Sequence, residues 1–153
     1  EVFPLIRQRI PTASFTVVGR KPPQWLIDLA VSTDGVTVTG TVDDVRPYIA
    51  HSALYVVPLR VGGGSRLKIL EALAMQKIVL STSVGAEGLA VEEGTTALLR
   101  DTPQALADTA CQVLADLESF QRLGIHGRAL IMQQYTWDAI AQTMAALWER
   151  ARG

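Results

Sequence analysis

The sequence predicts an α/β fold, an open parallel sheet with helices on both faces. Three observations predict it. Short β-branched apolar runs alternate with amphipathic stretches along the whole chain. The connections between them are brief and punctuated by glycine or proline. The strand candidates are apolar at nearly every position, as strands covered on both faces must be.

Val2, Leu5, Ile6 and Ile10 recur at helical spacing from Glu1 to Arg9, and Pro11 ends that helix. Ser14-Phe15-Thr16-Val17-Val18 is β-branched and aromatic, closes at Gly19, and reads as a buried strand. Pro22-Pro23 opens a short helix holding Trp25, Leu26 and Leu29, because proline suits a first turn. Val36 to Thr39 is a strand ending at Gly40. Asp43 is placed to cap a brief helix through Ile49, and Leu54 to Val57 is the next strand. Gly62-Gly63-Gly64 follows, with Ser65 as the expected N-cap of a helix from Arg66 to Met75. Lys77 to Leu80 is a strand, Gly85 and Gly88 break the loop beyond it, and Ala97-Leu98-Leu99 is the last strand. Thr102-Pro103 starts a helix whose apolar face is Leu106, Ala110, Val113, Leu114 and Leu117. Leu123 to Met132 reads as helix. Thr136 caps a final helix with Trp137, Ile140, Met144, Leu147 and Trp148 on one face. The sum is a Rossmann-like sandwich with extra C-terminal helices.

The length, 153 residues, fits one domain. Apolar residues make up 48% and charged residues 19%. Basic and acidic residues number 14 and 15, so the chain lacks the basic excess of a nucleic-acid grip. No apolar run approaches the ~18 residues of a membrane span. Cys111 is the sole cysteine, which excludes an internal disulfide, and its neighbours Ala107, Ala110 and Leu114 make it a core residue. His51 and His126 stand apart from any cysteine cluster, so no metal site is expected. This is the composition of a domain from a reducing compartment, and a cytoplasmic location is expected. The opening at Glu1, with no signal-peptide pattern, reads as a piece excised from something longer.

Ligands of open parallel sheets bind beyond the carboxyl ends of the strands. The loops after Val18, Thr39, Val57 and Leu80 lie there, and the richest is Val61-Gly62-Gly63-Gly64-Ser65-Arg66-Leu67-Lys68. Glycines let backbone approach a ligand, and the helix behind them aims unpaired N–H groups and its positive dipole end the same way. Arg66 and Lys68 add cationic charge that a helix start disfavours unless an anion is bound. The pattern asks for phosphate; the bland alternative is a solvated Arg66 and a Lys68 paired to Glu71 at i,i+3. Glu71 interrupts a segment, Ile69 to Met75, that is apolar on nearly every side. A carboxylate buried there must be matched, either by the hydroxyl pair of a nucleotide ribose or by an ion pair to Lys68 or Arg66.

Other motifs fail. Gly62-x-Gly64-x-x-Leu67 lacks the third glycine of the dinucleotide fingerprint. There is no P-loop, and Gly63-Gly64-Ser65-Arg66-Leu67 lacks the final glycine of a nucleophile elbow, so Ser65 is no nucleophile.

The block Gly63-Gly64-Ser65-Arg66-Leu67-Lys68-Ile69-Leu70-Glu71-Ala72-Leu73-Ala74-Met75, with Ser81 to Leu89, resembles the donor-binding domain of GT-B glycosyltransferases, and within them the retaining, metal-independent group 1 family (GT4). Val17-Val18-Gly19-Arg20 and Val38-Thr39-Gly40-Thr41-Val42 are similar to further segments of that domain. The resemblance implies a two-domain enzyme with its site between Rossmann-like halves. Residues 1–153 would be the nucleotide-sugar donor-binding half, without the N-terminal acceptor domain and without its own first strand. Of the family's two glutamates, the second falls on Glu71 and implies ribose binding. The first falls on Gly63, so its contact with the donor sugar does not carry over. By the same likeness, Gly63, Gly64, Ser65, Arg66, Leu67 and Lys68 surround diphosphate and sugar, with Arg66 and Lys68 placed to replace basic residues that follow the family's first strand. Gly19, Arg20, Gly40, Thr41 and Val42 border the base.

A nucleotide sugar is then the donor substrate, and no cofactor or metal is implied, in keeping with the absence of any Asp-x-Asp pair. The full enzyme could associate peripherally with a membrane, and the fragment alone should turn nothing over. Two other readings share the fold class: a nicotinamide-dependent oxidoreductase domain and a non-catalytic nucleotide-binding module.

Overall fold

The computed structural model describes residues 1–62 and 64–152. Eight helices and five strands alternate among these residues: α1 (Val2–Arg9), β1 (Phe15–Val17), α2 (Gln24–Ser32), β2 (Val36–Val38), α3 (Arg46–His51), β3 (Tyr55–Val57), α4 (Leu67–Ala74), β4 (Val79–Ser81), α5 (Ser83–Ala86), β5 (Leu98–Leu99), α6 (Pro103–Ala115), α7 (Leu117–Gln134) and α8 (Trp137–Arg152). Every strand pairing is parallel. The strands form two groups, β1–β2 and β3–β4–β5, with no ladder between β1 and β3.

Two cores lie on the two faces of the three-stranded group. Leu80 and Leu98 pack with Ile6 of α1 and with Leu106, Ala110 and Val113 of α6. Val57, Val79 and Ala97 pack with Ile69, Ala72 and Leu73 of α4 and Ile131 of α7. Successive side chains of β4 thus serve opposite faces, and all three of its residues are buried.

Several expected boundaries move. Asp43 is not the cap of α3. The helix starts later, at Arg46, with Val45 as its N-cap and no side-chain cap; Asp44, just before it, accepts from the Arg46 amide at 2.9 Å. The helix expected from Leu123 starts at Leu117, where Asp116 caps it by accepting from the Ser119 amide. Leu117 therefore opens α7 instead of ending the face of α6. The Gly85 loop contains the four-residue α5, capped by Thr82. Thr102 and Thr136 act as expected, each accepting a helix amide at 3.2 Å.

α7 lies close against the end of α4, and glycine makes that possible. A Cβ on Gly124 would fall 2.8 Å from the Gln76 carbonyl carbon and closer still to its oxygen. Backbone cannot yield as a flexible side chain can, so overpacking is expensive here. Gly124→Ala should lower stability by at least about 2 kcal/mol in urea unfolding. Gly19→Ala, with nothing within 4 Å of its Cβ, should stay within about 0.5 kcal/mol of the parent. Equal stability of the two variants would contradict this packing.

Candidate functional site

The glycine turn carries the chain from β3 to α4. Gly64 has φ +104, a conformation that L side chains rarely adopt. Arg66 is also left-handed, with φ 52 and ψ 29, and it is the N-cap of α4. That backbone costs a residue with a Cβ about 1–2 kcal/mol. It also moves the helix start beyond Ser65, which is therefore not the cap. Among the described residues no side-chain cap bond is made at the start of α4, whereas Thr82, Thr102 and Asp116 cap α5, α6 and α7. The amino end of α4 keeps its donor capacity and its positive dipole end.

Arg66 is not a solvated cation. It is only 7% exposed. Its Nη2 donates to the carbonyls of Gly62 at 2.9 Å and Val84 at 2.7 Å, and lies 3.5 Å from Glu87 Oε2. Lys68 is exposed beside it.

Glu71 departs from expectation in the other direction. Its residue is exposed, and among the described residues neither Lys68 nor Arg66 pairs with it. The reason is helix geometry. α4 buries Ile69, Ala72 and Leu73 completely, which turns Leu67, Lys68 and Glu71 outward at i, i+3 and i+4 spacing. Leu67 is 61% exposed, so the segment is not apolar on every side in space. Tyr55 sits near enough that burial first, and then the Glu71 charge, raise its phenol above the usual range. Tyr55 was hidden from the sequence reading by its place in an ordinary strand pattern.

The other expected residues gather separately. Pairing of Val17 with Val38, with the Thr39 amide donating to Val17 O at 3.0 Å, sets Gly19-Arg20 beside Gly40-Thr41-Val42. Gly40 turns with φ +70. Among the described residues no hydrogen bond or ion pair joins these loops to the glycine turn. Gly63 lies outside the described residues. Two surface hollows, of 460 and 340 Å³, the first lined by Glu93, Arg100, Arg122 and His126 among others and the second by Ala53, Lys77, Gln121 and Ile125 among others, contain none of the expected site residues. The glycine turn lies at the carboxyl end of β3, between β3 and α4.

Sequence reasoning missed the neighbouring strand end. Asp101, just beyond β5, accepts from the Ser83 amide and the Ser83 hydroxyl, both at 2.7 Å. These bonds, the backbone one foremost, hold its carboxyl below the usual range. A lowered carboxyl stabilises the fold fully above its unfolded pKa, ~3.9, and loses that contribution as pH falls through the lower folded value. The Ser83 amide resonance should therefore titrate with a midpoint below ~3.9, and Asp101→Asn should abolish that transition. A midpoint at the ordinary value would contradict the pairing.

Chains of known kind share this architecture. A family model described as "Glycosyl transferases group 1" matches residues 1–116. The GDP-mannose-dependent alpha-(1-6)-phosphatidylinositol monomannoside mannosyltransferase of Mycobacterium tuberculosis is 29% identical over 94% of this chain. The chain spans only 41% of that relative's length. Sucrose-phosphate synthase from Thermosynechococcus elongatus superposes with a TM-score of 0.79 at 27% identity, over 98% of this chain and 41% of that one. Anabaena HepE, solved in complex with UDP, superposes at 0.81 over 97% of this chain and 44% of its own, and at 19% identity this likeness concerns the fold. The fold is thus the Rossmann-like half of a GT-B structure, and the chain belongs to the group 1 glycosyl transferases.

Proposed function

We propose that this chain is the donor-binding half of a retaining, metal-independent glycosyltransferase that moves a hexose from a nucleoside diphosphate sugar to an acceptor. One observation carries the reading: an exposed Glu71 that has no hydrogen-bond or ion-pair partner among the described residues shares a helix face with Lys68, beside a helix start without a side-chain cap. The backbone of Gly63, Gly64, Ser65, Arg66 and Leu67, with the Lys68 ammonium, receives diphosphate and sugar. Glu71 takes the ribose hydroxyl pair with its two acceptor oxygens. Gly19, Arg20, Gly40, Thr41 and Val42 border the base. The leaving diphosphate gathers negative charge as the glycosidic bond breaks, and preoriented N–H groups and a cation stabilise it most where water is excluded. No cofactor beyond the donor substrate enters this scheme.

The cleft needs a second half, which we assign to an acceptor domain in the parent protein. The relatives' greater length supports this. α8 supports the reading as well: Trp137 is 86% and Trp148 65% exposed, with Ile140 and Met144 between them. Packing of this face on the chain's own core is thereby set aside, and we assign it to the second half. No described helix is long and apolar enough to cross a membrane, and we place the enzyme's work in the cytoplasm, with peripheral membrane contact reserved to the full protein.

Thermal-shift titration tests the reading. UDP or GDP at a hundred times its Kd should add about 2.7 kcal/mol of stability, while NAD and inorganic phosphate add far less. A response to NAD alone would end the proposal in favour of the oxidoreductase reading. Glu71→Ala should weaken nucleoside diphosphate binding at least about tenfold with the unliganded melting temperature unchanged. A variant that melts early yet binds normally when folded would make Glu71 structural.

A further inference from the structure

The buried arginine invites a question about its work. Among the described residues, Arg66 is the charged side chain that is buried. It occupies a backbone conformation that its own Cβ disfavours, and its Nε is buried with no hydrogen-bond partner. A group held at such disadvantage must be compensated by what it joins. What it joins are the turns after two adjacent strands. Through one nitrogen, Nη2, it holds Gly62 O at the head of the glycine turn and Val84 O in α5 beyond β4. The Glu87 carboxylate at 3.5 Å, in a side chain 74% exposed, balances the charge from the solvent side.

We propose that the Arg66 side chain is a positioning group: it latches the glycine turn to the turn after β4, and so fixes the amides that meet the diphosphate without its guanidinium touching the ligand. This rests on the donor-site reading above. The planar guanidinium suits the task, since it offers several donors in one fixed plane, which a lysine ammonium does not. Its left-handed backbone suits it too, because that conformation lets residue 66 send its side chain inward while Leu67 and Lys68 begin the helix outward. The charge nearest the turn is thus spent on geometry, and Lys68 carries the electrostatic attraction.

Amide hydrogen exchange on the free chain tests the latch without any nucleotide. Arg66→Gln should speed exchange at Ile69 and Leu70, whose amides donate to Arg66 O, and at Gly85, Ala86 and Glu87, whose amides donate to Thr82 and Val84, by at least about tenfold, because buried charge-assisted bonds are lost. Arg66→Lys keeps the charge and should restore neither turn. Unchanged exchange in Arg66→Gln, or full restoration by lysine, would overturn the latch. Calorimetry with UDP and GDP then tests the link to the site. Both variants should bind at least about tenfold more weakly, as misplaced groups do, while the salt dependence of binding stays that of the parent. Loosened turns with unaltered affinity would overturn the positioning role, and a salt slope shallower in Arg66→Gln alone would make Arg66 a direct phosphate contact. Should Arg66→Gln not fold, the lysine variant decides both points. A parent chain that binds neither nucleotide would end the donor-site reading, while the exchange result would still judge the latch.

Discussion

Everything at the candidate site depends on how α4 is seated. Ile69, Ala72 and Leu73 have no exposed surface, and together they fix the helix in rotation and in height against β3 and β4. Removing a side chain such as Leu73 would cost about 2–5 kcal/mol, so the seat is rigid on the scale of binding energies. Once it is set, the positions of Leu67, Lys68 and Glu71 follow from 3.6 residues per turn. Gly127 completes the seat from the other side, its missing Cβ leaving room for the Leu73 side chain.

The turns beyond that seat are joined in series. Thr82 Oγ1 donates to Leu59 O and accepts from the Gly85 amide, tying the turn after β4 to the one after β3. Arg66 adds a second tie between the same two turns. Ser83 and Asp101 extend the chain of bonds to the end of β5. Parallel strands bring their carboxyl ends to one edge by topology alone. These side chains turn a row of separate loops into one surface, which an ordered diphosphate site requires. β1 and β2 stand outside this series, and the loops beyond them are related to it only through the fold.

Much of the fold was legible because its punctuation is local. Pro11, Gly40, Thr102-Pro103 and Thr136 act through their own backbone or nearest amides, and the elements they bound occur within a few residues of expectation. What escaped depended on events in space. α5 is a single turn made by a Thr82 cap inside a glycine-marked loop. The break between α6 and α7 rests on the extended backbone of Asp116, at φ −146 and ψ 74, while Leu117 continues the apolar spacing on either side of it. At the site, the residue types at 64 to 71 were readable and their directions were not. Arg66 reads as a cation for a bound anion, or as a solvated one, until its left-handed backbone and its burial are known. Glu71 reads as buried until Leu67 is seen to face solvent.

The central claim is that the uncapped start of α4 receives a diphosphate and that Glu71 holds the attached ribose. Amide-resolved NMR of the chain titrated with UDP or GDP tests it most directly. The account predicts the largest shift changes at Gly64 to Lys68 and at Glu71, with smaller ones at Gly40 to Val42. Changes centred instead on the hollow lined by Arg100, Arg122 and His126, with the α4 amides unmoved, would contradict it.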